Sequence, residues 1–172
     1  MDTSKDRFSF LGREFLTWLW FEAERNGGKV AAGELGDIGV TFGQRLSLET
    51  GGGVREGSTV QSDAPAEAEE ARTALRTGKK VARARLFLEV GERQYQVGLD
   101  AETLTFGNAK LPVLLGKGEA NALDERLALL DELEAVMDAL FVGFVRLRKD
   151  EASWAPVRDE MRQWVAQGLK IA

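Results

Sequence analysis

The segment Lys79–Val90, KKVARARLFLEV, constrains the fold more than any other stretch of this chain. Successive side chains of a strand point to opposite faces, so one alternation serves the whole run. Its even positions, Lys80, Ala82, Ala84, Leu86, Leu88 and Val90, suit a core face. Its odd positions include Lys79, Val81, Arg83 and Arg85, which make a basic stripe on the other face. Gly91-Glu92 turns the chain into Arg93–Leu99, where Tyr95, Val97 and Leu99 alternate with polar residues. Leu104–Phe106 adds a third strand, and Lys110-Leu111-Pro112 leaves the sheet. Earlier in the chain, Ile38, Val40 and Phe42 alternate, and Leu46 and Leu48 resume after Gly43. That pattern predicts a hairpin or a bent pair of strands over Ile38–Glu49. Thr50–Pro65, glycine-rich and polar, reads as a flexible loop.

Helices account for the rest. Leu11–Arg25, LGREFLTWLWFEAER, is apolar on two sides: Phe15, Trp18 and Leu19 share one, and Leu16, Trp20 and Ala23 share another. Such a helix is covered on two sides. Either it is sandwiched inside its own fold, or Trp20 or Phe21 meets a second chain, as aromatics do in interface cores. Asn26-Gly27-Gly28 ends it with turn chemistry, and Ala66–Thr77 forms a short helix closed by Gly78. Within Glu119–Lys149, Leu123, Leu127, Leu130, Leu133, Met137, Leu140, Phe144 and Leu147 recur at spacings of three and four. The stripe predicts core packing along a helix of about twenty-five residues, roughly 38 Å, long enough to project towards a partner. Pro156 opens the last helix, with Val157, Met161, Trp164, Val165 and Leu169 on one stripe ending near Gly168. The expectation is a single α+β domain over residues 1–172: an antiparallel sheet packed against several helices, with a long C-terminal helical region and a loop at about 50–65.

Composition narrows the chemistry. The chain has 172 residues, with no cysteine and no histidine. Disulfides and thiolate nucleophiles are thereby excluded, and a reducing cytosol is the expected compartment. Imidazole is the usual general base and metal ligand, so a conventional enzyme and a zinc site are not expected either. Asp131, Glu134 and Asp138 fall on one helical face and could hold magnesium, although such a run is ordinarily a solvated surface. Thr77-Gly78-Lys79 lacks the upstream glycine of a phosphate loop, since Thr73 stands there, and a strand follows it. No cofactor is expected. The apolar run Phe15–Phe21 is far short of a membrane span, and no signal peptide is read at Met1–Arg7.

Net charge is −5. Binding to nucleic acid rests on neutralised phosphates, so here it requires charge segregation within the chain. Lys79, Lys80, Arg83, Arg85 and Arg93 gather in one β region, while acids concentrate in Glu67–Glu70 and Asp124–Glu134. The same cations could instead form a solvated strand face with ion pairs to Glu89 and Glu92.

Three segments taken together resemble the C-terminal half of the recombination-associated protein RdgC family. They are LGREFLTWLWFEAE, then EARTALRTGKKVARARLFLEVGERQYQVGLDAETLTFGNAKLP, then the leucine-patterned helix ending FVGFVRLR. They span about Leu11 to Arg148. The resemblance implies a non-enzymatic, cytoplasmic and nucleoid-associated homodimer that holds duplex DNA without sequence preference, through backbone contacts from Lys and Arg. It points to Lys79, Lys80, Arg83 and Arg85 as DNA-binding residues, with Arg55 in a loop corresponding to a basic one. The alternative is a protein-interaction module that uses the Phe15–Phe21 helix, through Trp20 and Phe21, or the long helix.

Overall fold

The computed structural model describes residues 9–50, 57–61, 69–116 and 118–167. Its strands are β1 (Lys29–Ala31), β2 (Asp37–Glu49), β3 (Gly57–Gln61), β4 (Lys80–Val90), β5 (Arg93–Asp100) and β6 (Thr105–Lys110). Its helices are α1 (Ser9–Arg25), α2 (Glu69–Arg76), α3 (Glu119–Lys149) and α4 (Glu151–Gln167). The class is α+β. All neighbouring strands are antiparallel, in the order β1-β2-β4-β5-β6, with β3 pairing β2 alongside β1.

Helix α1 lies between two layers because it is apolar on both sides. Phe15, Leu16, Trp18, Leu19, Trp20 and Phe21 are all buried. Trp20 meets Phe42 of β2 at 6.1 Å and the edge of Trp164 on α4 at 5.1 Å, and Phe15 meets the edge of Phe141 on α3 at 5.2 Å. Burying rings of this size stabilises a fold by about 1.5–3 kcal/mol each. The helix also presses on the turn after β5: a Cβ at Gly12 would stand 2.0 Å from the Ala101 carbonyl oxygen. At its other end the N–H groups of Asn26 and Gly28 donate to Glu22 O and Ala23 O, and Gly27 and Gly28 take the positive φ that the turn requires.

The sheet departs from simple alternation at two places. Phe42 pairs with Leu86 and Leu46 with Ala84, so β2 carries two extra residues between them. Two is an even number, so the core parity of Ile38, Val40, Phe42, Leu46 and Leu48 survives, and all five are buried. Ile38–Glu49 is therefore one bent strand and no hairpin. In β4, Ser47 pairs with Arg83 and Leu48 with Val81, which leaves Ala82 as a one-residue bulge. An odd insertion reverses the parity: Val81, predicted on the basic face, is buried in the core.

Three further differences concern element limits. The predicted loop at 50–65 contains β3, because Val60 finds a place in the core against the end of β2. Helix α4 begins at Glu151, where the N–H groups of Ser153 and Trp154 reach Asp150 O, and Pro156 sits in its second turn. Leu169 lies outside the described residues. Helix α3 has 31 residues, about 46 Å, and only part of its leucine stripe is core. Leu133, Met137, Leu140 and Phe144 are buried, whereas Leu123, Leu127 and Leu130 are 57%, 51% and 38% exposed. The first turns of α3 run beyond the layer they were expected to cover. No helix among the described residues is long and apolar enough to cross a membrane.

Candidate nucleic-acid interface

No helix of the described residues covers the second face of the sheet. Register places its side chains in rows across the strands. Thr59, Ser47, Arg83, Asp100 and Thr105 form one row, Arg85, Gly98 and Gly107 the next, and Thr41, Phe87, Gln96 and Lys110 a third. Arg45, in the two-residue bulge of β2, comes to the side of the middle row. Two glycines ending this row, on β5 and the edge strand β6, leave the backbone bare, and the result is a shallow trough of about 550 Å3. A Cβ on Gly107 would meet nothing within 4 Å, so the floor is empty by sequence and not by crowding.

Arg45, Arg83 and Arg85 border the trough, with Ser47, Asn108 and Thr105 as polar neighbours. Arg83 donates to Asp100 at 2.7 Å. Partial burial alone would push the Asp100 carboxyl up. The Arg83 hydrogen bond, the N–H groups of Glu102 and Thr103, and the Arg83 charge outweigh that effect and hold it below the ordinary carboxylate range. Arg45 and Arg85 have no carboxylate partner among the described residues.

The predicted basic cluster is thus divided. Arg83 and Arg85 share the open face as expected. The bulge at Ala82 turns Lys79 away from it, to donate to Ser58 of β3 at 2.7 Å, and Lys80 reaches back to Glu14 of α1 at 3.2 Å. Both ammonium groups lie on the helical side. Arg93 pairs with Glu132 of α3 at 2.7 Å, beside Tyr95, whose hydroxyl also donates to Glu132. Burial and that carboxylate raise the Tyr95 phenol to about 12. Arg55 lies outside the described residues. Trp20 and Phe21, each 2% exposed, are filled in by Phe42 and Trp164, so the sandwiched reading of α1 describes them and they offer a partner no surface.

Arg45 and Lys110 were missed. Arg45 had the same parity as the polar face of β2, but Gly43 suggested a turn there. Lys110 reads in the sequence as the exit from the sheet, whereas it still pairs with Gln96. Asp131, Glu134 and Asp138 are exposed along α3, and the described residues include no group of three carboxylates close enough to hold a metal. No family model matches the chain, and no curated protein or solved structure does.

Proposed function

We propose that the chain is a non-enzymatic, RdgC-related protein that binds duplex DNA without sequence preference through the open face of its sheet. The observation that carries this reading is the placement of Arg45 and Arg85, without carboxylate partners among the described residues, on a trough floored by glycine. On a chain of net charge −5 this is the charge segregation that phosphate binding requires. Guanidinium groups suit phosphate oxygens, and a shallow trough admits a sugar–phosphate backbone without inserting an element into a groove. Homodimerisation belongs to the same proposal and rests on the resemblance alone.

Fluorescence anisotropy with a random-sequence duplex, titrated at several salt concentrations, tests the reading. Three phosphate contacts, from Arg45, Arg83 and Arg85, give a slope of log affinity on log salt of about −2.7. Absence of binding at low salt would reject it. Light scattering on the eluted protein tests the dimer.

One observation favours a second reading, protein interaction through α3. Leu123, Leu127 and Leu130 form an exposed seam next to Val113, Leu114 and Leu115, which are also exposed. Glu125 holds this neighbour in place, accepting from the N–H groups of Leu115 and Gly116, and those bonds lower its pKa. Asp124 and Asp131 flank the seam on one side, Glu134 continues its line and Arg126 stands on the other side. The net acidic surround disfavours a second copy and favours an amphipathic helix with basic flanks. A synthetic leucine-seam peptide with lysine flanks should bind, and the same peptide with glutamate flanks should not.

A further inference from the structure

A second concavity, about 380 Å3, opens on the helical side of the sheet, between α1, α2, α4 and the start of β4. Leu75, Trp154, Met161 and Val165 make its apolar lining. Lys79, Lys80, Arg148, Arg158 and Arg162 stand around it, three of them from the C-terminal helices. Carboxylates offset part of that charge: Glu14 holds Lys80 and Arg148, Glu151 holds Arg158, and Asp159 holds Arg162. Among the described residues Lys79 has only the Ser58 hydroxyl, and Arg158 Nε, 3.9 Å from Asp159 Oδ1, is buried without a hydrogen bond.

The interior asks for little hydrogen bonding. The Thr17 hydroxyl already donates to Arg13 O at 2.8 Å and accepts from the Val81 N–H at 3.1 Å. The Trp154 ring is occupied by the Arg148 guanidinium, 5.2 Å from its centroid, and by Phe144. No free aromatic face is left for a nucleobase. A body that accepts no hydrogen bonds and a head that carries negative charge are what the lining and the rim leave room for. The volume is at the small end for ligand sites, which suits one alkyl chain and excludes a two-chain lipid.

We infer that this pocket binds a single-chain amphipathic anion, with the alkyl chain against Leu75, Trp154, Met161 and Val165 and the anionic head at Lys79 and Arg158. The site is separate from the open sheet face, and its occupancy does not depend on DNA binding.

The experiment is calorimetric titration of the full chain with decanoate, decanol and decyltrimethylammonium, each below its micelle concentration. One equivalent of decanoate should bind at least about tenfold more tightly than decanol, and the cation should not bind. Octanoate, decanoate and dodecanoate should tighten by about fourfold per added methylene until the pocket is full. Met161→Trp, which fills the apolar end, should abolish uptake. Lys79→Gln with Arg158→Gln, both on the rim, should bring decanoate down to the affinity of decanol while leaving the melting curve unchanged. Equal binding of the three heads, uptake unaltered by Met161→Trp, or no saturable uptake would each overturn the inference. Flotation with anionic phospholipid vesicles without uptake of monomeric decanoate would also overturn it, and would assign the cations to a membrane surface.

Discussion

Leu86 and Phe87 are neighbours in β4, yet they belong to two different molecules in energetic terms. Leu86 is fully buried beneath α1, while Phe87 is 40% exposed on a face that no described helix covers. The covered face is held by volume: Phe15 of α1 packs on Phe144 of α3, Trp20 of α1 packs on Phe42 of β2, and Gly12 admits no side chain at all. The open face carries fewer packing demands, confined to places such as Gly39 against Glu89 and Gly43 against Phe87. On the proposed function, stability resides on one side of the sheet and recognition on the other. The largest effect that tests this division is on the covered side. Trp20→Ala and Phe144→Ala should each cost about 3–5 kcal/mol in chemical denaturation. Arg45→Glu with Arg85→Glu should stay within about 0.5 kcal/mol per site. A large loss in the arginine variant would mean that the two faces are not independent.

Helix α3 repeats the contrast along its own length. Leu140 and Leu127 occupy the same kind of position in the same stripe, one fully buried and the other half exposed. Leu140→Ala should cost about 2–5 kcal/mol, and Leu127→Ala less than about 0.5 kcal/mol. Equal losses would place a cover over the first turns of α3 in the folded chain and remove the ground for a partner there.

The next effect concerns binding and leaves stability aside. Charge reversal at Arg45 and Arg85 takes away two of the three proposed phosphate contacts. The salt slope should shrink from about −2.7 to about −0.9, and retention on duplex at physiological salt should disappear. The pair Lys79→Glu and Lys80→Glu, on the other side of the sheet, should leave the slope unchanged. That outcome would separate the two faces by function as the denaturation series separates them by stability.

Much of this was legible in the sequence, and the failures have physical causes. Alternation in β4 placed Ala84, Leu86 and Leu88 correctly because each contributes to a continuous core, and the two-sided apolarity of α1 correctly required two covering layers. Parity fails when the chain inserts an odd residue, and nothing in KKVARAR marks Ala82 as a bulge. Lys79 is therefore expected on the face of Arg83, and Lys80 joins the same cluster by closeness in sequence. Periodicity in α3 reported amphipathicity without reporting where the covering layer ends, so Leu123 and Leu127 were indistinguishable from core positions such as Leu133 and Leu140. The trough was not legible at all. It depends on Gly98 and Gly107 standing side by side in adjacent strands, and that register is fixed only by the hairpin and the irregularity in β6.

The smallest expected effect is also the most specific to the open face. Arg83 borders the trough but is held by Asp100, so it is the cation there with a competing anion. Asp100→Asn should lower stability by about 0.2–1 kcal/mol, the worth of an exposed pair. It should also raise duplex affinity several-fold, because Arg83 no longer divides its charge between Asp100 and phosphate and a negative charge leaves the trough. The pH dependence has a fixed sign. A carboxyl whose folded pKa is depressed contributes stability fully above its unfolded value, about 3.9, and loses it as pH falls through the folded value. The wild-type chain should therefore lose a small increment of stability in that acidic window that Asp100→Asn lacks. If Asp100→Asn weakens duplex binding, Arg83 acts in the pair as a positioning group for the strand ends, and recognition narrows to Arg45 and Arg85.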